Sequence, residues 1–263
     1  MPFDKKHVLY VWFDALINYY TATREKGKEK FWPADVHIIG KDILWFHSVY
    51  WPAMLKSAGI ELPKKVFAHG WWTVHNQKMG KSAGNAIKIE KLTEYGSDTS
   101  RYFLLRETPF GDDGDFSEEM LKERHNNELA NKLGNLVSRV STLAEKYGLE
   151  KTKSSLNIEK TLKSVLEHFS FLEFDKALNE IFAFIDSCNE YIQEKKPWET
   201  KDKKVLYELS NAIKDSAILL SPFIPETSEK ISKVFNFDIS LKSLNSPLKI
   251  TKVKKADILF KKI

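Results

Sequence analysis

The most restrictive feature of this sequence is the order of three neighbouring segments. DVHIIGKD (35–42) is an apolar run that ends in a glycine and a charge pair. ILWFHSVYWPAMLKSAG (43–59) repeats its apolar residues at near-helical spacing and stops at Gly59. KKVFAHGWW (64–72) is short and apolar again. Strand, helix, strand in that order implies a parallel pair with a right-handed crossover. Open parallel sheets bind ligands beyond the carboxyl ends of their strands. An earlier apolar run, HVLYVWFDAL (7–16), reads as another strand. Asp14, the Gly40–Asp42 segment and His69–Trp72 are therefore expected to face one crevice. Strands this continuously apolar are normally covered, so something is expected to cover the edges near residues 8–13 and 35–40.

After residue 115 the pattern is helical throughout. Asp115 reads as an N-cap with Glu118 three residues on. Leu129, Leu133, Leu136, Val140, Leu143 and Tyr147 form one face of a helix ending at Gly148. Helical periodicity continues over 158–169, 173–195 and 203–220, punctuated by Pro197, Pro222 and Pro225. The stretch 241–263 carries seven lysines and one acid, and its apolar pieces LKI and DILF are expected to pack back on the body. The expected organisation is an α/β region with a parallel sheet (1–114), an all-α bundle (115–238) and a basic tail (239–263).

Composition sets limits on function. The 263 residues are 42% hydrophobic and 29% charged, enough to bury a sizeable core. A net charge of +5 permits an acidic partner such as RNA without requiring one. Cys188 is the one cysteine, which excludes an internal disulfide and a cysteine-cluster zinc site. It reads as a small buried residue, and the expected compartment is reducing and cytoplasmic. No apolar run reaches the ~18–20 residues of a membrane span.

QKMGKSAGNAI (77–87) places Lys78 and Lys81 three apart around a glycine. Such a segment packs no core. Two ammonium groups on a Gly/Ser loop suit a polyphosphate, neutralising charge on a transferring phosphoryl group when the loop closes. Taken alone the pattern is more often a solvated turn; its place soon after a strand of a parallel sheet shifts the balance.

KMGKSAGN is similar to the KMSKS signature of class I aminoacyl-tRNA synthetases. VWFDALINYY, FWPADVHIIGKDILWFHSVYWPAML, VFAHGWW, SRYFLLRETPFGDDGDFS, LANKLGNLVSR, KPWE and SPFIPETSEKI narrow the resemblance to the methionyl-tRNA synthetase family, over nearly the whole chain. The resemblance implies the second half of a parallel Rossmann-type sheet followed by an anticodon-binding bundle. It implies methionine–tRNA ligase activity with ATP and its Mg²⁺, and binding of methionine and methionine tRNA, with no membrane and no metal or zinc site in this segment. Lys78 and Lys81 would be catalytic, stabilising the ATP phosphates. Gly40, Asp42, His69, Trp72, Lys81 and Ser82 would bind ATP. Trp12, Ala15, Tyr19, Ile43, Phe46, His47 and Trp51 would form the methionine pocket, and Asn135, Arg139 and Trp198 would read the anticodon. Two positions depart from the family pattern: Gly80 stands for the usual serine of the signature, and Leu16 where a proline is often found.

No H-x-G-H occurs among the seven histidines. That signature belongs to the family's N-terminal half, so the chain is expected to be active only with a second polypeptide that carries it. A truncated chain whose other half was originally fused to it fits the sequence equally, and two rival readings of function stand beside this one. One is a non-catalytic tRNA-binding module derived from a synthetase, which Gly80 mildly favours. The other is a class I enzyme for leucine, isoleucine or valine, against which the aromatic pocket argues.

Overall fold

His37–Gly40 (β1) and Val66–His69 (β2) form a two-stranded parallel sheet, with Gly40 opposite His69 in register. The chain between them carries the helix Trp51–Ser57 (α2), so the strand–helix–strand expectation holds. The computed structural model describes residues 3–80 and 84–263. It divides into two units, Met1–Trp72 with Gly111–Asp113, and Thr73–Phe110 with Gly114–Ile263.

The run 7–16 is not a strand. Val11–Ala22 is a helix (α1), and Asp14 lies in its first turn rather than at a strand end. Trp12, Leu16, Tyr19 and Tyr20 recur at helical spacing and pack with Trp51 and Leu55, leaving Leu16 only 1% exposed. As a strand the same residues would alternate between faces, and no described strand offers them a ladder.

KKVFAHGWW also breaks in two, because β2 ends at His69 and Trp72–Val74 (β3) starts a second sheet. The break is at Gly70, where a Cβ would lie 2.1 Å from the carbonyl oxygen of Asp112, so only glycine admits that backbone. β3 pairs antiparallel with Gln77–Lys78 (β4), and Gly114–Asp115 (β5) joins its other edge.

Beyond this small sheet the second unit is helical, and after residue 115 the helices expected there are found. Ile89–Glu94 (α3) and Ser97–Arg106 (α4) lead into Glu118–Arg124 (α5). The N-cap of α5 is Ser117, whose hydroxyl accepts from Met120 N at 3.3 Å, and not Asp115. Asp115 is drawn to the hairpin instead, accepting from Thr73 Oγ1 at 2.5 Å and Asn76 N at 2.9 Å. The helix continues through a π-helical stretch, His125–Gly134, into Asn135–Tyr147 (α6), which ends at Gly148. The helices Glu159–Phe171 (α7), Phe174–Lys195 (α8), Pro197–Thr200 (α9), Lys203–Leu220 (α10) and Pro225–Phe235 (α11) complete the bundle.

α10 is buried from Val205 to Leu220 yet carries a polar row at helical spacing, Tyr207, Asn211 and the Lys214–Asp215 pair. This row holds the basic tail. Tyr207 Oη donates to Leu248 O (2.7 Å), and Asn211 Oδ1 accepts from Leu248 N (2.8 Å). Lys214 donates to the carbonyls of Ser243 and Ser246 and pairs with Asp215 at 2.9 Å. Leu248, Val253 and Ala256 are buried in the bundle core. Lys214 is 2% exposed. Lys214→Met, which removes its charge but little volume, is expected to cost about 3 kcal/mol in urea unfolding of the bundle, because it strands a buried carboxylate and two carbonyls.

Candidate functional site

In the first unit the carboxyl ends of β1 and β2 bring Gly40 and His69 side by side. Asp42 folds its carboxylate over the same point. A Cβ on Gly40 would sit 2.7 Å from Asp42 Oδ1 and 4.0 Å from His69 Cε1, so the missing side chain keeps this corner open. His69 Nδ1 donates to Gly70 O at 2.8 Å. A carboxylate, an imidazole and bare backbone beyond the strand ends can accept from ribose hydroxyls and lie against a base.

Lys41 and Asp113, which sequence reasoning passed over, lock this corner. Lys41 Nζ reaches both carboxylate oxygens of Asp113 at 2.6 Å and lies 4.2 Å from the Trp71 ring centroid. Asp113 Oδ1 also accepts from Trp71 N at 2.8 Å. The charge pairs in GKD and GDDGD were the only available signal.

The predicted pocket aromatics do meet. Trp12 stacks on Phe46 with centroids 4.3 Å apart and meets His47 edge-on at 5.8 Å. His47 is buried; its Nδ1 donates to Ile43 O at 3.0 Å and its Nε2 accepts from Tyr19 Oη at 2.9 Å. Ala15 lies on the face of α1 between Trp12 and Tyr19, and Trp51 lies 6.2 Å from Tyr19. A further member, His37, was missed. Buried on β1, it lies 4.6 Å from the Tyr19 ring and its Nε2 accepts from Trp51 Nε1 at 3.3 Å. The signal was alternation, since His37 and Ile39 share the buried face of β1.

In the second unit Lys78 sits on β4 opposite Thr73, at the foot of the lysine loop. The β3–β4 turn is His75–Asn76, with φ of 52° and 59°, the left-handed pair of a tight hairpin. Asn85 closes the loop: its Oδ1 accepts from Gly80 N at 2.9 Å and its Nδ2 donates to Lys78 O at 3.3 Å. Trp72 begins β3 and is half-buried. Lys81 and Ser82 lie outside the described residues.

Asn135 and Arg139 line one open groove of about 630 Å³ between α6 and α8, with Lys132, Asp186, Asn189 and Gln193. Arg139 Cζ lies 5.2 Å from the Trp198 ring centroid. With its amide oxygen toward the guanidinium, Gln193 accepts from Arg139 Nη1 at 3.0 Å and Nη2 at 3.2 Å. Lys132 pairs with Asp186 at 2.7 Å. The guanidinium is thus fixed over an aromatic ring at the rim of a polar groove, an arrangement on which an unstacked nucleobase can stack and hydrogen-bond.

Burial, and secondarily His47, hold the His37 imidazole below its ordinary pKa of 6.5. The unfolded chain therefore takes up the proton first, and stability contributed here is full above pH 6.5 and is lost as pH falls below it. Six of the seven tryptophans (12, 32, 45, 51, 71 and 72) lie in the first unit. Thermal unfolding followed by tryptophan fluorescence is expected to show a lower midpoint at pH 5.5 than at pH 7.5. His37→Gln should shrink that difference.

A profile of tRNA synthetases class I (M) matches residues 1–141, and one of the anticodon-binding domain of tRNA ligases matches residues 154–259. The methionine–tRNA ligase of Clostridium tetani is 44% identical over 100% of this chain and 46% of its own length. That of Bacillus subtilis is 40% identical over 100% of this chain and 44% of its own. The chain spans about half the length of these relatives. The crystal structure of Mycobacterium tuberculosis methionyl-tRNA synthetase bound by methionyl-adenylate superposes with a TM-score of 0.89 at 34% identity, covering 97% of this chain and 56% of that one.

Proposed function

The chain belongs to the class I tRNA synthetase family of the methionine (M) type, and on that premise we propose that it is part of a methionine–tRNA ligase whose active site a further segment completes. The observation that carries this reading is the strand-end corner of Gly40, Asp42 and His69, followed within one short stretch of chain by the aromatic nest of Phe46 and His47 against Trp12 and Tyr19. The corner accepts the nucleoside of ATP, with Trp72 at the adenine edge. The nest takes the methionine side chain, whose polarisable thioether favours aromatic walls, with Ala15, Ile43 and Trp51 as its remaining walls.

In the reaction, a methionine carboxylate oxygen attacks the α-phosphorus of ATP and pyrophosphate leaves. Mg²⁺ arrives with the nucleotide as part of the substrate. Lys78 and Lys81 neutralise charge on the phosphates as the bond breaks, and Ser82 contributes to the same loop. The methionyl group then passes to the terminal ribose of the tRNA. Asn135, Arg139 and Trp198 hold the anticodon, Trp198 by stacking and the other two by hydrogen bonds to base edges.

The need for a second segment rests on the surface of the first unit. Val8 is 87% exposed, Leu9 82% and Ile38, on a parallel strand, 49%. Phe13, Ile17, Tyr20, Met54 and Ile60 line an open apolar groove of about 620 Å³. Parallel strands are ordinarily covered on both faces. Each large side chain fully removed from water contributes about 1.5–3 kcal/mol, so a covering segment has ample driving force. The occupant proposed is the N-terminal part of the same enzyme type.

ATP–pyrophosphate exchange tests this. The 263-residue chain alone is expected to show none. Mixed with the N-terminal portion of a relative such as the Clostridium tetani enzyme, it should gain methionine-dependent exchange. A mixture that stays inactive but binds methionine tRNA would point instead to a non-catalytic tRNA-binding module.

A further inference from the structure

The bundle assembles a lysine ridge that is scattered in the sequence. Two consecutive residues after α6 stitch distant segments together: Leu149 N donates to Thr251 O at 3.0 Å, and Glu150 N donates to Lys203 O at 3.2 Å. The turn after α9 and the basic tail therefore meet at residues 149–150. Lys151, Lys201, Lys203, Lys252, Lys254 and Lys255 all lie within a few residues of the hydrogen-bonded pairs of that junction, and all six are exposed. The tail then runs antiparallel to α6, with Lys255 N donating to Glu145 Oε1 and Ala256 N to Ser141 Oγ. Val253 and Ala256 point into the core, which turns the intervening lysines outward.

Three carboxylates beside the ridge are already engaged. Asp202 caps α10, accepting from Lys204 N at 2.8 Å and Val205 N at 3.2 Å. Glu145 accepts from the tail backbone, and Glu150 faces Lys204 at 3.5 Å. Among the described residues no carboxylate lies within ion-pair range of any of the six lysines. The ridge begins three residues from Trp198, the ring that Arg139 covers. Lys252, Lys254 and Lys255 follow one another on a stretch with no helix or turn, whose backbone spans at most about 10 Å, a close set of charges suited to a polyanion with regularly repeated charge.

We propose that this ridge is a track for the phosphate backbone of an RNA stem whose loop is read beside Trp198. This rests on the tRNA-binding reading above and adds to it. The aromatic platform addresses bases; the ridge addresses the sequence-independent backbone and carries the salt-dependent share of affinity.

The test is fluorescence anisotropy of labelled methionine tRNA and of its isolated anticodon-loop oligonucleotide with the full 263-residue chain over a salt series. The combined Lys252→Gln, Lys254→Gln and Lys255→Gln variant should bind tRNA about tenfold more weakly. Its log–log salt slope should be shallower by about 2–3, since each released contact contributes ~0.9. Binding of the loop oligonucleotide should not change, and the corresponding triple Lys→Arg variant should keep the wild-type slope. Lys201→Gln with Lys203→Gln tests the other half of the ridge by the same readout. Wild-type slopes in both Gln variants, or equal losses on tRNA and loop, overturn the proposal. Trp198→Ala is the separate control: if it leaves loop binding intact, the anticodon reading fails while the ridge result stands.

Discussion

Two parallel strands with one well-packed crossover leave apolar side chains uncovered among the described residues, and this constraint organises the first unit. β1 has a ladder partner in β2 alone among the described strands, yet it carries Ile38 half in water. The buried side of the same strand is complete: His37 and Ile39 face inward, and His37 joins Tyr19 and Trp51. One face is thus closed by α1 and α2 while apolar side chains on the other remain exposed. The site corner at Gly40 and His69 inherits that geometry, being fixed from below by the strands and by the Lys41–Asp113 clasp.

The second unit solves a different problem. Its central helix α10 is buried nearly end to end, so every polar group on it needs a partner. For Tyr207, Asn211 and Lys214 the tail supplies them as backbone amides and carbonyls, which is why a segment with little regular secondary structure is pinned in place. Pinning the backbone inward leaves the tail's lysines with nowhere to go but solvent. The same contacts that satisfy α10 therefore create the charged surface.

Much of this was legible in the sequence where periodicity was long or punctuation strong. The range of α10 and the core of α7 and α8 follow the apolar spacing, and β1 and β2 follow two short runs with a helix between them. The aromatic nest and the Arg139–Trp198 contact join residues chosen by family resemblance, which the apolar pattern alone would have left as ordinary core. The failures share a cause. Residues 7–16 are apolar without a clear period, and what decides helix over strand is a partner, Trp51 and Leu55, more than thirty residues away. Asp115 satisfied the local rule for a cap but found stronger donors in Thr73 and Asn76 across the hairpin. The π-helical stretch before Asn135, the closing role of Asn85 and the stitching of the lysine ridge are tertiary facts with no local signature.

Amide hydrogen exchange at residues 8–13 and 37–40 tests most directly whether the first unit is half of a larger sheet. The measurement compares the chain alone with the chain plus an N-terminal synthetase portion. The account requires fast exchange in the isolated chain at 8–13 and along the outer edge of β1, and marked slowing at both places on mixing. Equal protection in the two samples, with Ile38–Gly40 already as slow as the amides of α10, would contradict it.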